Sequence, residues 1–336
     1  MSVVVDLLDG GCGMELKKRK AEGQNVAYDL TLFSTAALRD TPDAILDLYR
    51  DWIKAGCTVI TTASYAVTRF YLDKIGEGDR VGELAERSLK LAREAIEMEC
   101  AVGKVKIAAS IPPLGQSYNE VKKTEADMEA EYSVLVRALS GADVFLIETM
   151  GTLADARLAC KMCQNEKPEV PIWVAFHPRR DGGRAVVSVD GASITEATHL
   201  AVEIGVEALL FNCATPHVVE MAIVEAARTL AESDSESGTV VPPRLGAYAN
   251  FWEEVDARGW SIDKQETSMG AGDQKAGGFI VRKDLTDDMY AADVGRWIEA
   301  GATIVGGCCG IGPGAIRCVG ATLNVGRTAE TCKNQS

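Results

Sequence analysis

The sequence predicts a (βα)8 TIM barrel built as a single domain. Three observations carry that prediction. Short apolar, β-branched runs alternate with amphipathic helical segments along the chain, eight strands can be counted, and eight is the number at which a parallel sheet closes on itself. The third is a weak internal repeat, a glycine just past a helix and just before a buried strand. It reads Gly56-Cys57-Thr58-Val59-Ile60, Gly141-Ala142-Asp143-Val144-Phe145, Gly205-Val206-Glu207-Ala208-Leu209 and Gly301-Ala302-Thr303-Ile304-Val305. Glycine there suits a helix C-cap.

Taken in order, the first strand is predicted over residues 3–9 and runs into the turn Gly10-Gly11-Cys12-Gly13. Helical periodicity starts near Pro42, with Ile45, Leu46, Leu48, Tyr49 and Trp52 on one face, and closes at Gly56. The second strand is expected at 58–65. Four helix–strand pairs are predicted next: 81–101 with 105–110, 125–139 with 144–148, 153–165 with 172–176, and 194–204 with 208–213. Helix 216–230 leads to strand 245–248, helix 291–300 to strand 303–307, and a last helix is expected at 312–323. The connections 11–41 and 249–287 are long and follow strand C-termini, so they should overhang the mouth. Residues 232–239, rich in Ser, Asp and Glu, read as a solvated loop on the opposite side. The barrel is expected to take residues 1–326, leaving a polar tail at 327–336. An open doubly wound sheet would want a glycine-rich phosphate loop and a ribose-binding acid, and the sequence carries no such fingerprint.

Composition narrows the partners. With 47% apolar and 25% charged residues the chain can bury a sizeable core, and a formal charge of −14 argues against nucleic acid or an anionic membrane. The first residues show neither a basic leader nor a long apolar stretch, and no run reaches the ~18 residues of a membrane span. A cytoplasmic location, as a monomer or small homo-oligomer, is the expectation. The ten cysteines are then thiols, acting as packing residues, catalytic groups or metal ligands.

In a barrel the strand C-termini converge on one site. Those positions hold Asp9, Ser64 and Tyr65, Ser110, Glu148, Phe176 and His177, Cys213, Tyr248 with Asn250, and Cys308 with Cys309. Cys213 ends the sixth strand and Cys308-Cys309 end the eighth, inside a turn whose Gly306, Gly307 and Gly310 should free φ to aim both sulfurs at one point. Three thiolates with an open fourth position describe a Zn2+ site; the alternative is three buried thiols acting as small hydrophobes. Such an ion suits the sulfur of a thiol substrate, and the reaction class is alkyl transfer to that sulfur. Asp9 and Glu148 then fit as anchors for an ammonium group, and backbone N–H groups at Gly10 and Gly11 as a carboxylate cradle. Ser64, Tyr65, Tyr248 and Asn250 complete the expected substrate contacts. Cys160 and Cys163 form a CxxC inside a helical pattern and read as packing residues. His199 reads as structural, His177 as a strand-end residue able to touch substrate, and His217 as no ligand.

The elements Asp9-Gly10-Gly11, Thr61-Thr62-Ala63-Ser64-Tyr65, Glu148-Thr149, Phe211-Asn212-Cys213 and Gly306-Gly307-Cys308-Cys309-Gly310 together resemble the zinc-dependent homocysteine S-methyltransferases. The likeness spans nearly the whole chain. It implies a (βα)8 barrel, zinc on Cys213, Cys308 and Cys309, and Asp9 and Glu148 holding the homocysteine amino group, with methionine as product. The short stretch after the last helix points to the compact branch, whose donor is a sulfonium such as S-methylmethionine or S-adenosylmethionine, rather than to the betaine-using branch. The sequence departs from that branch at Ser64-Tyr65-Ala66, where the family pattern has Ser-Tyr-Gln, and in the turn that begins at Ser110. Rival readings stay open: a betaine-type or other thiol alkyltransferase on the same site, a barrel hydrolase or aldolase using Asp9 and Glu148, and a noncatalytic zinc or thiol sensor using the vicinal cysteines.

Overall fold

In a computed structural model, residues 4–237, 241–253, 275–276, 279–280, 282 and 284–333 are described. The strands in chain order are β1 (Asp6–Leu7), β2 (Val59–Thr61), β3 (Lys106–Ile111), β4 (Val144–Met150), β5 (Ile172–Phe176), β6 (Pro178–Asp181), β7 (Arg184–Val187), β8 (Ala208–Asn212), β9 (Arg244–Ala249), β10 (Lys275–Ala276), β11 (Phe279–Ile280) and β12 (Ala302–Gly307). Eight of them form one parallel sheet in the order β1-β12-β9-β8-β5-β4-β3-β2. A parallel bridge between Leu8 and Val59 joins its two ends. The barrel expected from the alternation is therefore what forms.

Two cores follow from the strand pleat, which sends alternate side chains to opposite faces. Leu8, Val59, Ala108, Val144, Leu146, Trp173, Leu210 and Ile304 cluster inside the barrel. Their neighbours, such as Phe145, Ile147, Val174 and Val305, pack outward with the helices. At the closed end, Arg244 Nη1 lies 2.8 Å from Asp6 Oδ2, its Nη2 donates to the Thr303 carbonyl at 2.9 Å, and its guanidinium sits 6.0 Å from the Trp173 ring. Trp173 Nε1 in turn donates to Glu207 at 2.9 Å.

The helix-to-strand glycines behave as expected at Gly56, Gly205 and Gly301, with φ of 104°, 76° and 108°. Gly141 does not: it has no left-handed φ, and a Cβ there would fall 2.1 Å from the Arg93 guanidinium, whose Nη2 donates to the Gly141 carbonyl.

Other boundaries also differ from expectation. The connection 11–41 holds helices Cys12–Ala21 and Ser34–Asp40. The first is rich in Lys and buries little besides Glu15, Leu16 and Arg19, so it carries almost no apolar periodicity to read. The expected loop at 232–239 is helical through Ser237, an extension supported by the Arg228–Glu232 pair one turn apart and by Ser233 Oγ donating to the Thr229 carbonyl; residues 238–240 lie outside the described set. The helix Asp287–Glu299 begins a turn earlier than expected because Thr286 caps it, accepting from Met289 N at 3.2 Å. The last helix runs Pro313–Lys333, past the expected end at Leu323. A hairpin, β6 with β7, follows β5 and was not anticipated. Much of the 249–287 connection, Trp260 included, lies outside the described residues. Among the described residues no helix is long and apolar enough to cross a membrane.

Candidate metal and substrate site at the barrel mouth

Strand ends β8 and β12 bring three sulfurs together. The Sγ atoms of Cys213, Cys308 and Cys309 all lie within 4.8 Å of one another, and those of Cys213 and Cys309 are 3.8 Å apart. Cys213 sits at φ 57°, a left-handed conformation that few non-glycine residues adopt. Cys308 and Cys309 belong to a turn stitched to its neighbours: Cys308 N donates to the Ala249 carbonyl at 2.8 Å, Ile311 N to the Cys308 carbonyl at 3.0 Å, and Phe251 N to the Cys309 carbonyl at 2.8 Å. The thiols of Cys308 and Cys309 hydrogen-bond to Cys213 and push its pKa well below the usual thiol value, while their own are pushed well above it. The clustering of three soft sulfur donors fits a zinc ion better than a hard, oxygen-seeking cation.

The glycines of this turn act differently from the sequence reading. Gly310 does turn the chain, with φ 84°. Gly306 and Gly307 have no positive φ; they are small because space is short. A Cβ on Gly306 would sit 2.4 Å from Leu8 Cβ, and one on Gly307 2.3 Å from Ile311 Cγ2. Gly10 and Gly11 are equally confined, at 2.3 Å from the Ile311 carbonyl and 2.5 Å from the Cys308 carbonyl. Backbone bonds tie these turns together: Gly307 N donates to Asp9 O at 2.9 Å and Gly11 N to Ile311 O at 3.0 Å. The Gly11 N–H is therefore already engaged and is not a free member of a carboxylate cradle.

The two acids flank the sulfurs. Thr61 donates to both oxygens of Asp9, from its backbone N–H at 2.7 Å and its hydroxyl at 2.9 Å. Ser110 Oγ donates to Glu148 Oε1 at 2.5 Å and the Tyr248 hydroxyl to Oε2 at 3.2 Å. Burial pushes the Asp9 carboxyl up to about 7, with Glu148 adding a smaller repulsion, and burial likewise raises Glu148 to about 7. Among the described residues the side-chain partners of the two acids are hydroxyls, and no basic side chain pairs with either.

A cavity of about 220 Å³ joins these groups. Asp9, Gly10, Gly11, Tyr65, Glu148, Cys213, Tyr248, Cys308 and Cys309 all line it. Ser64 and Asn250 do not. Ser64 is fully buried, its hydroxyl donating to the Ser110 carbonyl at 3.0 Å and paired with Thr62, while the Asn250 amide is used inside the turn beside Cys213. The structure adds Tyr28, Phe33, Tyr71, Ser117 and Tyr118 to the wall. The Tyr118 hydroxyl lies 3.5 Å from Cys213 Sγ, and the Tyr65 hydroxyl meets Ser117 Oγ. Both Ser117 and Tyr118 follow the end of β3, and that placement was the available signal. Tyr28 and Phe33 come from the connection whose helices the sequence hid.

His177 does not line the cavity; its Nε2 is 3.1 Å from the Cys213 carbonyl, and burial lowers its pKa, keeping the ring neutral. His199 and His217 are exposed on helices. Cys160 and Cys163 are buried in helix Leu153–Glu166, and burial raises both thiols, that of Cys160 to about 12. They are packing residues, as expected.

The chain is similar to known proteins along most of its length. The chain is 25% identical over 355 residues to the selenocysteine methyltransferase of Astragalus bisulcatus, covering 96% of this chain and 93% of that protein. It is 26% identical over 339 residues to homocysteine S-methyltransferase 4 of Zea mays, covering 93% and 87%. The fold superposes on the metallated form of the homocysteine methyltransferase MmuM from Escherichia coli with a TM-score of 0.70, 23% identity, and 95% and 96% of the two chains covered. Residues 6–323 match the sequence profile described as homocysteine S-methyltransferase, and so the chain belongs to the homocysteine S-methyltransferase family, enzymes that move a methyl group to the sulfur of homocysteine.

Proposed function

We propose that this enzyme methylates homocysteine on a zinc site made of Cys213, Cys308 and Cys309, taking the methyl group from a sulfonium donor of the S-methylmethionine or S-adenosylmethionine kind. The observation that carries the reading is the convergence of three thiols beside two buried acids that share one cavity. Bound there, zinc supplies a fourth coordination position for a substrate sulfur and holds it deprotonated at neutral pH.

The chain's own residues supply the rest. Asp9 and Glu148, near neutrality in pKa without ligand, ionise fully against the ammonium group of an amino-acid thiol, which gains two charge-assisted contacts in a dry site. The substrate carboxylate is left to the first turn of helix Cys12–Ala21, which has no side-chain cap on its N–H groups and starts at the cavity wall. Tyr28, Tyr65, Tyr71 and Trp252 give the cavity an aromatic face toward a sulfonium, a contact worth about 0.5–2 kcal/mol that fades as the donor becomes neutral. The new C–S bond forms on the acceptor as the old one breaks, and the electron pair leaves with the donor as a neutral thioether. Positioning of the two sulfurs is the main source of rate.

The cavity's aromatic wall supports a cationic donor. The test is methionine formation from homocysteine by reduced, zinc-loaded protein, offered S-methylmethionine, S-adenosylmethionine and betaine in separate assays. Turnover with neither sulfonium would overturn the donor assignment.

A further inference from the structure

Cys213 carries a backbone conformation that its own side chain does not favour, so something else must hold it. Two side chains converge on its carbonyl oxygen: Asn250 Nδ2 at 2.6 Å and His177 Nε2 at 3.1 Å. The Asn250 amide has a fixed sense, since its Oδ1 accepts from Trp252 N at 3.1 Å and so its NH2 faces Cys213. Backbone bonds thread the same segment between two residues of the next strand end: Cys213 N donates to Tyr248 O at 3.1 Å and Asn250 N to Ala214 O at 2.9 Å. The His177 backbone is anchored on the other side, its main-chain N–H donating to Met150 O at 2.9 Å and its carbonyl accepting from Ser188 N at 3.0 Å. Its Nδ1 is buried with no partner among the described residues, so the proton that makes the ring useful sits on Nε2.

We infer that Asn250 and His177 are positioning residues for the sulfur of Cys213: together they grip its carbonyl oxygen and hold the left-handed backbone that aims Sγ at Cys308 and Cys309. The two donors reach the carbonyl from different elements, Asn250 from the end of β9 and His177 from the end of β5. Neither lines the cavity, so neither touches the substrate, and both act through Cys213. Asn250 thereby changes from an expected substrate contact to a support for the ligand set. The inference rests on the zinc reading only for its metal readout; the aim of the sulfur is a property of the metal-free protein as well.

The experiment uses the full chain and two readouts. In the first, cobalt(II) replaces zinc, and its dissociation constant and thiolate-to-cobalt absorption are measured by chelator competition for the wild type, Asn250→Ala, Asn250→Asp, His177→Phe and His177→Gln. Loss of either donor should weaken binding about ten- to a hundredfold and change the absorption, as loss of groups that orient metal ligands does. His177→Gln, which keeps an N–H donor, should recover part of the loss seen in His177→Phe. In the second, metal-free protein is oxidised with diamide, which takes two hydrogen atoms as a disulfide closes, and the Cys213–Cys309 cross-link is timed by peptide mass spectrometry. The two thiols start 3.8 Å apart, and the variants lacking a donor should close more slowly. Wild-type cobalt affinity, spectrum and cross-linking rate in all four variants would overturn the inference. A wild type that binds no cobalt, with cross-linking still slowed in the variants, would remove the zinc reading and leave the positioning role. If the Asn250 variants do not fold, the His177→Phe and His177→Gln pair, alike in burial and different in donor, decides the question.

Discussion

Cys213 Sγ lies 3.8 Å from Cys309 Sγ, although 96 residues of chain separate them. The distance is set by the order of the strands. β8 and β12 each pair with β9, so the ends of all three stand side by side at the mouth. Removing either sulfur leaves two donors where a closed metal site needs at least three. Cys213→Ser should abolish zinc binding and methionine formation together, and prior removal of zinc with a chelator should do the same to the wild type, with zinc restoring it. Metal content by atomic emission beside turnover checks this; full activity in Cys213→Ser would sink the metal site.

The two acids predict a pH signature. Glu148 stands near 4.5 when exposed and about 7 in the fold, so the folded state binds its proton more tightly than the unfolded state does. The stability it contributes is full below about pH 4.5 and is lost as pH rises through 7. Glu148→Gln removes that dependence: relative to wild type, its stability at pH 8 should exceed its stability at pH 5 by up to about 3 kcal/mol in ligand-free protein. Urea titrations at the two pH values give the double difference, and a value of zero would show that Glu148 is ionised in the empty site.

Ligand binding has the opposite sign, because an ammonium group needs the ionised acids. Methionine, which has no thiol to titrate, should bind wild type more tightly as pH rises from 6 to 8, and Glu148→Gln more weakly, with a flatter profile. Calorimetric titration at several pH values measures both.

The crowded glycines predict a packing lesion at the site. Gly306→Ala puts a Cβ 2.4 Å from Leu8 Cβ and 3.1 Å from the Asp9 carbonyl, so β1 and β12 must separate. A loss of about 1–3 kcal/mol is expected from the overpacking, along with weaker metal binding, because Cys308 is two residues away. Thermal melting and metal titration together check this.

At the other end of the barrel, Arg244→Met should leave the chemistry alone and weaken the fold. It strips Asp6, the Thr303 carbonyl and the Trp173 face of their cation, and with the Arg244 side chain 31% exposed the loss is expected to be about 1 kcal/mol. A lower melting temperature with unchanged KM for homocysteine is the expected result. A changed KM would mean that the two ends of the barrel are coupled.

The barrel itself was legible because its strands are buried on both faces and its helices on one, and each leaves a period in the sequence. The residue types at the strand ends were legible for the same reason: Asp9, Glu148, Cys213, Cys308 and Cys309 stand where packing alone would favour aliphatic side chains. Helix Cys12–Ala21 was not, since a helix that packs through few residues shows little period.

What the sequence by itself determined is the architecture and the chemical set: three thiols, two acids and the glycines at the strand ends. Only the tertiary structure decided how those residues divide the work. Gly306 and Gly307 give room where Gly310 gives a turn, because clearance depends on Leu8 and Ile311, which come from other parts of the chain. Asn250 and His177 stand behind Cys213 and leave the cavity to Tyr28, Tyr65 and Tyr118. Which way a side chain at a strand end points is set by hydrogen bonds to neighbouring strands, and those partners are distant in sequence and adjacent only once the barrel has closed.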